Sequence, residues 1–310
     1  MSANVQEYHR LDSAYFFAFE YTHDALKSGL AAASDLNVTQ YRTLVKLLAL
    51  HPAATPQVDL AKMLRLKPNM LTQTIDILQK HDYVQRERSS DDARSRLVSI
   101  TPAGIAHVGI VNESIVKALY STFPTRKAEY RRIFEASITA GAAIDPVVSE
   151  DLSKKYMSSR TLSTFELLKL ALESALRKQV GASYNEARIM QLLGEVKEPM
   201  RMRNLSEQLA LPSATITRSV DRLAARGWVQ RLSDPVDRKA VFVVTTDSGK
   251  NRCNAIERVL DNVANTYLWA NLSPRQQNAI AQAGHVVMAD VQKRKEAERL
   301  EALGRLQPVR

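Results

Sequence analysis

Asn69 and Gln73 stand four residues apart, a spacing that puts two side-chain amides on one face of a helix. Such amides can engage N6 and N7 of an adenine together. Met70 and Thr72 flank them, and the positions 145 residues further on are Ala214, Thr215, Thr217 and Arg218, with Arg222 one turn beyond. A guanidinium at Arg218 suits guanine O6 and N7, and one at Arg222 suits a phosphate. Two more pairs of cations sit on polar stretches, Arg94 and Arg96 in the first half of the chain and Arg238 and Lys239 in the second. On a hairpin tip, long cationic side chains of this kind can enter a narrow minor groove, where the potential is most negative. A third group is aromatic: Tyr15, Phe19 and His23 follow a helical spacing, with Phe16, Phe17 and Tyr21 beside them. In its plainest reading that stripe is core.

Catalysis finds no support. The six histidines are scattered, and the chain has no HxxxH, no CxxC, no phosphate-cradling glycine loop and no Gly-x-Ser-x-Gly. The expectation is a protein that is not an enzyme and that uses no metal and no cofactor. The single cysteine, Cys253, excludes an intrachain disulfide and a cysteine-rich zinc site, and is expected to be a buried, inert thiol. No run of 18 apolar residues occurs and the N-terminus lacks a basic-then-apolar pattern, so a cytoplasmic protein that does not span a membrane is expected.

The side chains named above need a scaffold, and the chain supplies it twice. Its 310 residues are enough for about two domains. Shifting the sequence by 145 aligns residues 39–104 with 184–249 without a gap. Leu60, Leu64, Thr72, Asp76, Leu78, Arg86, Thr101 and Gly104, among others, recur as Leu205, Leu209, Thr217, Asp221, Leu223, Arg231, Thr246 and Gly249. In each copy a helix precedes a short helix, a turn and a second helix, which begins near Pro68 or with Ser213 as N-cap. Leu71, Ile75 and Leu78, like Ile216, Val220 and Leu223, form its inward stripe. A hairpin follows, with strands Tyr83–Arg88 and Arg96–Ile100 in the first copy and Trp228–Leu232 and Val241–Thr245 in the second. Helix, turn, helix and two-stranded wing make a winged helix. Outer amphipathic helices surround each copy, the last opening at Thr125 in one and at the capping box Ser273–Gln276 in the other.

The expected fold is therefore mainly α with small β wings. Two tandem winged-helix domains span residues 1–145 and 161–310 across a linker at 146–160, and the long flanking helices of each need a partner to bury their apolar faces. The charge supports a polyanionic partner. The net value is +10, and residues 1–150 carry 17 basic and 16 acidic side chains against 26 and 17 in residues 151–310.

Tyr83-Val84-Gln85-Arg86, Asp92-Ala93-Arg94 and Thr101-Pro102-Ala103-Gly104 resemble the multiple antibiotic resistance regulator (MarR) family. Gly227-Trp228-Val229-Gln230-Arg231, Asp237-Arg238-Lys239 and Thr246-Asp247-Ser248-Gly249 do so as well. The resemblance implies a transcriptional regulator, a repressor, that binds double-stranded DNA and is released by a small aromatic or anionic effector, with the flanking dimerisation-type helices of the two copies forming an intrachain pseudo-dimer. It implies an Asp92–Arg94 brace on the wing, which the second copy alters because Lys239 replaces the arginine. It also implies an effector pocket lined by Tyr15, Phe19, His23 and Arg42, one per chain. The alternatives are a ligand-binding or protein-interaction module that no longer reads DNA, and a plasmid-type replication initiator.

Overall fold

A computed structural model describes residues 10–88, 96–146, 155–237 and 240–304. It divides into two compact units: unit 1 is Met1–Tyr21 with Leu172–Arg310, and unit 2 is Thr22–Ala171. The divisions fall inside two helices, α1 (Ser13–Ala33) and α7 (Met157–Val180).

Unit 2 holds the first winged helix. After α1 come α2 (Val38–Leu50), β1 (Thr55–Pro56), α3 (Gln57–Leu64), α4 (Pro68–Lys80), β2 (Val84–Arg88), β3 (Arg96–Ile100), α5 (Pro102–Thr122) and α6 (Ala128–Ile144). The α3–α4 turn closes through Arg65 in a left-handed conformation (φ 54°), with Leu66 N donating to Ala61 O at 2.9 Å. The strands form an antiparallel sheet of order β1-β3-β2, paired from Val84↔Ile100 to Arg88↔Arg96. β1 was not foreseen, since two residues leave no readable alternation. Leu44, Leu47, Leu60, Leu71, Ile75, Leu78, Val98 and Val108 are buried in one core, so the stripe expected on α4 does face inward.

Unit 1 repeats the plan with α8 (Tyr184–Val196), β4 (Met200–Arg201), α9 (Met202–Leu209), α10 (Ser213–Ala225), β5 (Val229–Ser233), β6 (Val241–Thr245), α11 (Asp247–Tyr267) and α12 (Pro274–Gly304). Its turn uses Ala210 (φ 49°), and Leu211 N donates to Ser206 O at 3.1 Å.

The recurring Thr-x-x-Gly has a steric cause. Thr101 Oγ1 donates to Asp82 O at 2.6 Å and accepts from Gly104 N at 3.1 Å, so one hydroxyl caps α5 and ties it to the wing. A Cβ on Gly104 would lie 2.3 Å from Tyr83 O, and one on Gly249 would lie 1.9 Å from Trp228 O.

Three boundaries differ from expectation. Pro212, not Ser213, is the N-cap residue of α10, and α6 begins after Lys127, not at Thr125. Ser273 and Gln276 do form the expected capping box. Residues 146–160 read as a polar linker, yet α7 begins at Met157 and Ser159 and Arg160 are buried. Ser159 Oγ lies 2.7 Å from Tyr41 Oη and donates to Asn112 Oδ1, and Arg160 Nη2 donates to Asp145 O at 2.7 Å. Lys46 Nζ meets Asp145 Oδ1 at 2.5 Å in the same region. Polar residues that satisfy one another inside a fold look, in sequence, like polar residues in water. Among the described residues no helix is long and apolar enough to cross a membrane.

Candidate nucleic-acid interface

The chain puts its best caps on the scaffold and leaves the outward-facing helices open. α2 starts from a capping box of Asn37 and Gln40, and α8 from one of Ser183 and Glu186. Lys67 and Pro212, the N-cap residues of α4 and α10, make no side-chain cap bond. No side chain at the N-cap position thus competes for an anion at these two helix ends, where the helix dipole favours one, although Met70 N and Thr215 N already have local partners.

On α4, Asn69, Met70, Thr72 and Gln73 are all exposed. Asn69 Oδ1 accepts from Met70 N at 2.9 Å, and Thr72 Oγ1 donates back to Pro68 O at 3.1 Å, which leaves the Gln73 amide the longer reach. On α10, Thr217 and Arg218 are exposed and Thr215 is half-buried. Arg218 Nε donates to Ala214 O at 3.2 Å, which lays its stem along the helix.

Arg222 has a different occupation. Its Nε donates to Glu186 Oε1 at 2.6 Å, and Arg226 Nη1 donates to Glu186 Oε2 at 3.3 Å. Burial alone would raise the Glu186 carboxyl, but the Ser183 backbone bond and the two arginines hold it below the ordinary carboxylate range. Arg222 thus fixes α10 against α8.

The wings are only partly described. Arg94, Arg238 and Lys239, with Asp92, lie outside the described residues. Arg96 is exposed on β3 and pairs in register with the exposed Arg88 of β2, so two cationic residues sit at cross-strand positions. Like charges so placed repel unless an anion joins them. Arg88 was missed, although its position just before the polar tip marks it as readily as Arg96 after it. In unit 1, Asp234 Oδ1 accepts from Val236 N and Asp237 N, and Arg201 on β4 lies 3.9 and 3.8 Å from Asp234 and Asp237. That cation, at a position where the first copy has Pro56, is spent on the wing itself.

Tyr15, Phe19, His23 and Arg42 are buried side chains. Tyr15 and Phe19 belong to unit 1 and stack at 6.2 Å. In unit 2, His23 Nε2 lies 2.8 Å from Glu166 Oε1. Burial would raise the Glu166 carboxyl, but His23, Arg42 and Lys169 hold it below its ordinary range. Arg42 Nη2 donates to Leu64 O at 3.2 Å, and Arg188 Nη2 donates to the matching Leu209 O at 2.6 Å. Both arginines cap the helix that precedes the turn from inside, a role that a reading of Arg42 as an anion partner did not foresee. Cys253 is buried, its thiol donates to Met190 O at 3.1 Å, and burial pushes it up to about 11. Among the described residues no group of three or more His, Cys, Asp or Glu is placed to hold a metal.

Residues 36–95 and 183–241 each match the model of the MarR family. Over 69 residues the chain is 32% identical to the multiple antibiotic resistance protein MarR of Escherichia coli, covering 22% of this chain and 48% of that relative. The match thus spans about half of that protein's length. Over 108 residues it is 31% identical to an uncharacterized HTH-type transcriptional regulator of Bacillus subtilis, YhbI, covering 34% of this chain and 69% of that one. Sco3205, a MarR family transcriptional regulator from Streptomyces coelicolor solved in complex with DNA, shares 23% identity at a TM-score of 0.38. That likeness covers 41% of this chain and 80% of Sco3205. With two matched regions, each on its own helix-turn-helix and wing, the chain belongs to the MarR family and carries its winged helix twice.

Proposed function

We propose that the chain is a sequence-specific DNA-binding transcriptional regulator, a repressor acting in the cytoplasm, in which two winged helices on one polypeptide work as an intramolecular pseudo-dimer. Its operator is asymmetric or pseudo-palindromic double-stranded DNA. The observation that carries this is the pair of uncapped helices α4 and α10, each presenting exposed polar side chains at its N-terminal end. The positive end of each helix dipole suits phosphate, and Asn69, Gln73 and Arg218 suit base edges. The surplus of cations in residues 151–310 supports the same partner.

Release by a small aromatic or anionic effector belongs to the same proposal and draws on family membership. Tyr15 and Phe19 in unit 1, and His23 and Arg42 in unit 2, are buried, so a ligand that reaches either pair has to open the packing of that unit.

The test is a gel shift of fragments from the protein's own upstream region at about 50 and 200 mM salt, with sedimentation of the free protein. A saturable shift that weakens steeply with salt is expected, together with a folded species at the mass of one chain. No shift at low salt would overturn the proposal and favour an interaction module. Dissociation into unfolded chains on dilution would overturn the pseudo-dimer.

A further inference from the structure

Unit 1 contains a cleft of about 310 Å³, lined by the chain leading into α1 and by α8 and α11. Asp12, Glu195, Glu257 and Asp261 face it, with Gln191 and Leu260. Arg10 and Leu11 complete the lining, so four carboxyl groups meet one guanidinium.

That guanidinium is loosely held. Arg10 Nη1 lies 3.4 Å from Glu257 Oε2 and its Nε lies 3.8 Å from Asp261 Oδ2, both longer than a close charge-assisted bond, and its side chain is 67% exposed. Asp12 has His285 Nε2 at 3.0 Å, and Glu195 accepts from both the backbone N and the hydroxyl of Ser13. Those bonds do not offset the crowding: desolvation, then Asp12 and Glu257, push the Glu195 carboxyl above its ordinary range, and desolvation does the same to Asp261. The negative charge of the cleft exceeds what the protein neutralises.

Gln191 adds an independent sign. It is only 3% exposed and lines the cleft, its Nε2 donates to Leu11 O at 2.5 Å, and its Oε1 meets no donor among the described residues. A buried amide oxygen left without a donor is costly, and a ligand N–H would satisfy it. Leu11 and Leu260 form the apolar part of the cleft's lining, which a bare inorganic cation could not use.

We infer that this cleft binds a small organic cation, an amine or amidine carried on an apolar body, with Arg10 as its intramolecular competitor. The cation lies against Glu257 and Asp261, an N–H reaches Gln191 Oε1, and the body packs on Leu11 and Leu260. The site is independent of DNA reading, and its charge preference is opposite to that of the anionic effector proposed above.

Calorimetric titration of the full chain with benzamidine, with benzoate and magnesium chloride as controls, tests it. Benzamidine is expected to bind saturably and benzoate not at all. Arg10→Ala should tighten benzamidine by about threefold, the worth of removing an exposed ion pair. Glu257→Gln and Asp261→Asn should each weaken it by about tenfold, and each variant's melting curve shows whether it is folded. Silence toward benzamidine in both the wild type and Arg10→Ala would overturn the inference. So would unchanged affinity in the two folded carboxylate variants, or displacement of benzamidine by equimolar magnesium.

Discussion

Tyr83 and Trp228 hold matching positions in the two repeats, and each ring has two ring or cation partners at matching positions. Tyr83 stacks with His81 at 5.3 Å and with His107 at 4.4 Å, whereas Trp228 has Arg226 at 5.2 Å and Arg252 at 5.1 Å. Arg226 and Arg252 stand 145 residues after His81 and His107. One copy therefore builds the joint between wing and scaffold from imidazoles, and the other from guanidinium groups.

A pH dependence of the first repeat follows. His107 bonds Tyr83 Oη through Nδ1 and Ser34 Oγ through Nε2. Burial lowers its pKa, Asp35 raises it and His81 lowers it further, with a net downward shift. The unfolded chain then takes up the proton first. Stability is full above about pH 6.5 and is lost as the pH falls from there through the lowered native value. Urea midpoints measured between about pH 5 and 7.5 should show this slope, and His107→Gln should remove it. An unchanged slope in that variant would assign the effect elsewhere.

The repeated Asp and Arg form a cross-link between helix and wing. Arg86 Nη1 lies 2.5 Å from Asp76 Oδ1, and Arg231 Nη1 lies 2.7 Å from Asp221 Oδ1. Arg86 is the more enclosed, at 15% side-chain exposure against 37%, and it also donates to Thr72 O. Arg86→Ala should cost about 2 kcal/mol, and Arg231→Ala less than about 1 kcal/mol because water screens the second pair. Denaturant unfolding of both variants gives the comparison, and equal losses would show that exposure does not set the difference.

The glycines of the two Thr-x-x-Gly motifs allow a steric test. An added methyl at Gly104 or Gly249 meets a backbone carbonyl, which cannot rotate away as a side chain could. Each alanine variant should lose about 3 kcal/mol and lower the melting temperature. A larger loss is expected at Gly249, where the approach is closer. Tolerance of alanine at both positions would show that α5 and α11 can each shift away from the wing beside them.

The repeat, the winged-helix order and the inward stripes were legible because each rests on local periodicity. The buried polar network around Ser159 and Arg160 was not, since its partners Tyr41, Asn112 and Asp145 come from distant segments. Arg222 shows the same limit on the surface. Its place one turn after Arg218 marks it as outward-facing, which it is, but only the fold brings Glu186 within reach. Arg42 and Arg188 reach matching carbonyls from positions that an alignment by 145 leaves one residue apart, so counting along the repeats cannot pair them.

The two outward-facing helices differ in chemistry, and a fused chain can therefore prefer different half-sites. A homodimer presents one helix twice and favours a palindrome with half-sites about one helical turn apart. Here α4 offers Asn69 and Gln73, whose amides suit adenine, while α10 offers Arg218, which suits guanine. Selection from a random DNA pool should yield an asymmetric site with adenine contacts in one half and a guanine in the other. A bidentate pair discriminates by roughly 1–3 kcal/mol, so Arg218→Ala should relax base preference in one half-site only. Arg222 is held by Glu186, so Arg222→Ala should weaken all sequences alike, mainly by loosening α10, with a smaller change in salt slope than the loss of roughly one ion given by a free phosphate contact. Arg88→Ala should show that full phosphate-type loss, because Arg88 pairs in register with Arg96 and has no carboxylate opposite it in the strand pairing. A palindromic selected site, or unchanged base preference in Arg218→Ala, would leave Arg218 as a backbone contact and the two repeats as equivalent readers.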